Sequence, residues 1–279
     1  MRIARVFPRK TKASPTDDLA FFDVPGLFPP EVDEVHVSVA FTWDIERAER
    51  LAYQWEIVAP VKIGGPALGQ PSSEFTPGMY VKRGYVITSR GCPNRCWFCS
   101  VWKREHELIE LQIHDGHNLL DDNILACSNE HIRKVFSMLE KQHGVEFTGG
   151  LEAKILKHWH VELLQKIKPK QMFFAYDTED DYEPLADAST MLRSAGFTRH
   201  QMRCYVLIGY PHDTIQAAEK RLYATVRLGF FPMAMLWRDS VTGEANYTWK
   251  VFQKSWARPA SIAAMVKTLR GREEKEFIA

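Results

Sequence analysis

The chain has 279 residues, 45% hydrophobic and 25% charged, enough for one large α/β domain with a smaller appendage. Lys plus Arg number 36 against 35 for Asp plus Glu, and the formal charge of +1 provides no whole-molecule field to gather nucleic acid or an anionic membrane. No window approaches the roughly 20 apolar residues that cross a bilayer. The basic start MRIARVFPRKTK runs into Ala13, Ser14, Pro15 and Thr16 rather than an apolar h-region. A soluble, cytoplasmic protein is expected, with those first basic residues on a solvated edge.

The first 80 residues form a small α/β module with proline-rich connections at Pro25, Pro29, Pro30, Pro60, Pro66, Pro71 and Pro77. Residues 34–40 (EVHVSVA), 45–55 and 58–65 (VAPVKIGG) read as strand, helix and strand of one βαβ unit, and 66–78 as a linker. His36, Trp43, Asp44 and Trp55 are expected to pack and cap this unit. From residue 84 short apolar runs alternate with amphipathic stretches, the signature of repeated βα units on a parallel sheet. Strands are predicted at 84–89, 118–126, 145–148, 172–176, 202–208 and 231–237. The helices between them are expected over 129–144, up to 168, 183–196 and 213–228, stopped by Gly144, Pro169 and Gly196. Six units with one helix near 261–270 fit a partial (β/α)6 TIM-like barrel better than the closed eight-unit form. The predicted division is 1–80 for the module, 81–240 for the barrel and 241–279 for a C-terminal extension.

Five cysteines do not make a secreted disulfide framework, and three of them fall in one short stretch, RGCPNRCWFC. Cys127 and Cys204 stand in apolar runs and read as buried free thiols. Cys92, Cys96 and Cys99 follow a strand, so one wrapped loop turns three sulfurs toward one point. A [4Fe-4S] cluster held by three thiolates leaves one iron open to a small molecule, whereas four thiolates leave only electron transfer. A structural zinc site would need a fourth ligand, for which His106 and His114 are candidates, but zinc motifs usually come as two separated pairs. A redox disulfide would use two of the thiols and leave the third unexplained.

The C-x3-C-x2-C loop, with the aromatic Phe98 just before its third cysteine, resembles that of the radical S-adenosylmethionine superfamily. The resemblance covers about residues 84–240. It implies a [4Fe-4S] cluster and S-adenosylmethionine as cofactors, and reductive cleavage to methionine and a 5′-deoxyadenosyl radical that removes hydrogen from a substrate. It also implies an external one-electron donor of the flavodoxin or ferredoxin type. The segment YVLIGYPHDT looks like the family's fifth strand, with Ile208 and Gly209 at the positions that pass the adenine; a tight turn ahead of a helix is the competing reading. Where the family carries Gly-Gly-Glu to hold the methionine amine, this chain reads Asp121, Asp122, Asn123, which are acceptors but also ordinary capping residues. Gly149, Gly150, Glu152 and Lys154 follow the third strand and are either cofactor contacts or a helix start. Asp177, at the end of the fourth strand, is the candidate acceptor for a ribose hydroxyl.

Trp237, Arg238 and Asp239 end the sixth strand, and the charged, aromatic rim suits a small polar or heterocyclic substrate. Arg203, inside a strand, requires a carboxylate if it faces inward. Residues 38–40 and Gly64-Gly65 faintly resemble parts of a cobalamin-binding domain, but the Asp-x-His-x-x-Gly that supplies cobalt's ligand is missing around His36. A non-catalytic iron-sulfur or zinc-stabilised binding or electron-transfer protein is the alternative to an enzyme.

Overall fold

The computed structural model describes residues 1–69, 74–239, 246–258 and 260–267. Pro71 of the linker and positions 268–270 of the expected last helix lie outside the described residues. The chain divides into two compact units, one built on Met1–Asp122 and Ala126–Met138, the other on Asn123–Leu125, Leu139–Asp239 and the described residues from 246 onward.

The first unit opens with a four-stranded parallel sheet of β1 (Ile3–Val6), β2 (Ala20–Phe21), β3 (Glu34–Ser38) and β4 (Val61–Gly64), in the order β2-β1-β3-β4. Helix α1 (Ile45–Trp55) covers one face. In β1 and β3, Ala4, Val6, Val35 and Val37 point to that face by strand alternation and meet Ala48, Leu51 and Trp55, which helical spacing stacks on one stripe of α1. Trp55 is wholly buried, and its Nε1–H donates to the Asp23 carbonyl at 3.0 Å.

Arg2, Arg9, Lys10 and Lys12 are exposed, as expected of a solvated edge, but Arg5 is not. Ile3–Val6 is an inner strand, and Arg5 is 7% exposed, paired with Asp17 and donating to the Gly78 carbonyl at 3.0 Å. The two arginines of RIARV hide a short alternation whose apolar members number only three, too few to stand out as a period.

The same unit continues with β5 (Tyr85–Val86), β6 (Ser89–Arg90), α2 (Val101–Arg104), β7 (Ile109–Glu110) and β8 (Asn118–Leu119), after which the chain enters α3 (Asn129–Glu140). β5 pairs parallel with β8, and β6 pairs antiparallel with β7. The strand expected over 84–89 is therefore split in two. The one expected over 118–126 stops at Leu119, because Asp121 turns its carboxylate back to bond the Thr88–Ser89 segment.

In the second unit β9 (Glu146–Phe147), α4 (His158–Ile167), β10 (Gln171–Ala175), α5 (Tyr182–Ser194), β11 (Met202–Ile208), α6 (Ile215–Arg227) and β12 (Phe231–Leu236) follow in chain order. The strands are parallel and adjacent as β9-β10-β11-β12. A βα succession of parallel strands in unchanged order is the partial-barrel class expected from the sequence. Along β11, Met202, Cys204, Val206 and Ile208 are wholly buried, while Arg203, Tyr205 and Leu207 take the half-exposed face. Thr214 caps α6 by accepting the Ala217 N–H at 3.1 Å. A helix not expected from the sequence, α7 (Tyr247–Ser255), is capped by Asn246 and precedes the helical residues 260–267.

Gly65 sits at φ +125°, and a Cβ there would lie 2.4 Å from the Val39 carbonyl oxygen. Gly65→Ala forces an L-residue into this conformation and pushes β4's exit off β3, so a loss of roughly 1–3 kcal/mol is expected. Urea unfolding of the full chain measures it; an unchanged midpoint would contradict the tight contact.

Candidate functional site

The cysteine loop leaves β6 in the first unit. Cys92, Cys96 and Cys99 are all half-buried and unbridged. The loop folds on its own backbone: the Cys99 N–H donates to the Cys96 carbonyl at 3.1 Å, and Trp102 Nε1–H donates to the same oxygen at 2.9 Å. The Val101 N–H donates to the Cys99 sulfur at 3.5 Å. Phe98 sits edge-on to Trp97, with centroids 5.3 Å apart. Burial pushes the Cys99 thiol up, the Val101 N–H opposes this, and the Cys92 sulfur adds to it. Iron must displace that proton, since the thiolate is the ligand.

Two consecutive acids fasten the base of this loop. Asp121 is 1% exposed; it accepts the Thr88 N–H at 2.6 Å, the Thr88 hydroxyl at 2.6 Å and the Ser89 hydroxyl at 2.7 Å. Burial raises its pKa, and the two hydroxyls pull it back. Asp122 accepts the Gly91 N–H at 2.9 Å and faces Arg104, which is also paired with Glu105 at 3.0 Å. Gly91 is needed there, because at φ +89° a Cβ would meet the Glu107 carbonyl at 2.2 Å. The acids expected at a methionine amine are thus engaged in holding the loop. Spacing alone does not reveal this, because 33 residues separate Thr88 from Asp121.

Among the described residues no three His, Cys, Asp or Glu side chains gather closely enough to chelate a single ion. A cubane cluster takes each thiolate on a different iron, so its sulfurs stand apart. Three half-exposed thiols in one loop, backed by N–H donors, are a donor set suited to it. Cys127 is buried, with its thiol pushed up to about 11 by burial, and behaves as a small apolar side chain.

The second unit holds the remaining candidates. Asn123 donates from Nδ2 to Glu152 at 2.6 Å. Gly149 and Gly150 lead into Leu151, whose N–H donates to the Phe173 carbonyl in β10 at 2.7 Å. Lys154 pairs with Asp181 at 2.9 Å, and Asp181 accepts the N–H groups of Asp177 and Thr178. Asp177 accepts the Leu207 N–H at 3.0 Å, next to Ile208 and Gly209; burial and then the charge of Asp181 push its carboxyl up to about 7. The Gly209 N–H donates to Asp213, which is held by Arg221 at 2.9 Å, and Arg221 also donates to the Leu207 carbonyl. Asp213 and Arg221 went unnoticed in the sequence, where an acid before a helix reads as a cap.

Ile208 is 0% exposed, in keeping with a buried Ile-Gly pair at this strand end. Arg203 takes the half-exposed face of β11, and its guanidinium lies over the Phe231 ring, 4.3 Å from the centroid, where Arg203 and Phe231 are register partners. Phe173, itself 5% exposed, stacks on Tyr205, with centroids 4.7 Å apart. Trp237 follows β12, its N–H bonded to the Ile208 carbonyl.

In the N-terminal sheet, order β2-β1-β3-β4 puts the topological switch point between β1 and β3, where ligands of open α/β sheets bind. There Arg9 donates twice to Asp44, at 2.8 Å each, joining the two loops. His36 has both ring nitrogens engaged, by Tyr80 at 2.7 Å and Glu34 at 2.9 Å. Together with the closed Gly65–Val39 contact, these residues do not make a corrinoid site.

No known protein family and no curated protein matches the sequence. The fold, however, is similar to that of solved radical S-adenosylmethionine methyltransferase structures. Among similar solved structures are two of the radical S-adenosylmethionine methyltransferase TsrM from Kitasatospora setae. One, with cobalamin and a [4Fe-4S] cluster bound, has TM-score 0.56 and 12% identity over 77% of this chain and 66% of that one. The other, with tryptophan substrate and the analogue aza-SAM bound, has TM-score 0.55 and 11% identity over 77% and 65%. The chain thus spans slightly less than two thirds of their length.

Asp121→Ala strands a buried N–H and two hydroxyls at the loop's base. A loss of about 3 kcal/mol is expected, with less iron bound on reconstitution; unchanged thermal unfolding and iron content would show that the carboxylate does not anchor the loop. Asp177 carries a different signature. Its folded pKa near 7 stands above the unfolded value of about 3.9, so stability falls as pH rises between them and the deficit is complete above 7. Asp177→Asn keeps an acceptor for the Leu207 N–H and is expected to raise the melting temperature at pH 8 but not at pH 4. Parallel pH profiles for the two proteins would refute the shift.

Proposed function

We propose that this chain is a radical S-adenosylmethionine enzyme in which Cys92, Cys96 and Cys99 hold a [4Fe-4S] cluster and the open iron takes S-adenosylmethionine. The observation that carries this is the loop itself: three unbridged, half-buried thiols within eight positions, on a fold shared with radical S-adenosylmethionine proteins. When bound and reduced, the cluster supplies the electron that cleaves the sulfonium of S-adenosylmethionine, the hard chemistry that a cofactor brings to its protein.

The chain's own residues orient and enclose. Asp121 and Asp122 fix the loop's root so that the thiols keep their spacing. Phe98, edge-on to Trp97, stands just before the third cysteine. Asn123 with Glu152, and the open backbone at Gly149-Gly150, form a polar edge for the methionine moiety, with Glu152 the acceptor for its amine. Asp177, neutral over much of the range below pH 7, presents one oxygen to a ribose hydroxyl while the other keeps the Leu207 N–H. The Ile208-Gly209 backbone passes the adenine, with Asp213 and Arg221 locking that strand end.

The half-exposed face of β11 and β12, with Tyr205, Arg203 and Phe231, supports a small polar or heterocyclic substrate. An external one-electron donor of flavodoxin or ferredoxin type completes the cycle, and five unbridged thiols suit a reducing, cytoplasmic setting. Cobalamin is not part of the proposed cofactor set, given the engaged His36 and the Arg9–Asp44 bridge.

Anaerobic reconstitution is expected to yield about four irons and four sulfides per chain. Dithionite plus S-adenosylmethionine should then release methionine and 5′-deoxyadenosine, and Cys99→Ala should abolish both. An intact cluster that leaves S-adenosylmethionine whole would instead favour an electron-transfer protein, and zinc as the bound metal would favour a structural site.

A further inference from the structure

We propose that the indole of Trp249, on α7, is the aromatic wall against which the adenine of S-adenosylmethionine stacks; this rests on the cofactor assignment above. α7 is fixed to the barrel through β12. That strand ends the sheet order, so its outer edge has no neighbouring strand. The helix end takes up that edge: the Ala234 N–H donates to the Trp256 carbonyl at 3.1 Å, and Gln253 Nε2 donates to the Ala234 carbonyl at 3.2 Å. Trp256 is wholly buried. With its last turn held at Ala234, α7 carries Trp249, about two turns earlier, to the ends of β11 and β12.

The indole lands on Gly209. A Cβ there would lie 2.9 Å from Trp249 Cδ2, 3.0 Å from its Cγ and 2.9 Å from Leu236 Cδ1, so the room left by the missing side chain seats the indole. Phe252 meets the indole edge-on, with centroids 5.8 Å apart, and fixes its plane. Tyr247 on the same helix is 80% exposed, whereas Trp249 is half-buried and keeps part of its ring open at the strand end. The strand end itself has little to hold a flat ring. Ile208 is wholly buried, and the N–H groups of Leu207 and Gly209 are committed to Asp177 and Asp213. An adenine passing this backbone needs an apolar face from another element, and the indole against Gly209 supplies one suited to stacking.

The test uses the anaerobically reconstituted full chain and S-adenosylhomocysteine, which carries the adenine but no sulfonium to cleave. Titration calorimetry measures its affinity. Trp249→Leu keeps apolar bulk against Gly209 but removes the ring, and is expected to weaken binding ~10-fold or more. Trp249→Phe restores an aromatic face and should bind near the wild-type level, with iron content unchanged in both. Wild-type affinity in Trp249→Leu, or equal losses in the two variants as a merely structural indole would give, would overturn the stacking role. Failure of the wild type to cleave S-adenosylmethionine with dithionite would instead overturn the proposed function, and the binding series would still decide the role of Trp249.

Discussion

The buried carboxylate of Asp121 is the constraint on which the cysteine loop depends. It takes one backbone N–H and two hydroxyls from Thr88 and Ser89, at the point where the chain leaves one strand for the cysteines. A carboxylate with almost no exposure is costly unless its oxygens are satisfied, and here three donors satisfy them. Asp122, next in the chain, takes the Gly91 N–H, so two adjacent acids hold the final residues before the first cysteine. A loop that must present three sulfurs at fixed spacing gains its rigidity from this root rather than from the thiols.

The second unit repeats this logic with a different fastening. Asp213 and Arg221 form a largely buried ion pair that also bonds the Gly209 N–H and the Leu207 carbonyl. Asp181 collects the backbone ends of Asp177 and Thr178, and Lys154 neutralises it. Strand ends that would otherwise fray are tied by charged groups from the following helix or turn. The rim is therefore held by charged groups rather than by apolar packing alone.

The N-terminal module shows how a likeness of fold leaves function open. Its parallel sheet has a switch point, as ligand-binding α/β folds do, yet Arg9 and Asp44 join the two loops there and His36 is committed to Glu34 and Tyr80. Fold is set by the apolar alternation of Ala4, Val6, Val35 and Val37 against α1, whereas a ligand site is set by the few polar residues at the strand ends.

The sequence by itself determined the alternation of strands and helices after residue 84 and the identity of the three thiols. Apolar periodicity and ligand spacing are local, and local signals survive in one dimension. β11 matches its predicted span, and α1 does too. Tertiary structure alone decided what the polar residues do. Asp121 read as either a cofactor acceptor or a cap until Thr88, 33 positions earlier, proved to be its donor, and Arg203 found an aromatic ring as its neighbour. A hydrogen bond or a cation–π contact needs a partner within a few ångströms, and which residue that is depends on how the strands register, not on the spacing of residues along the chain.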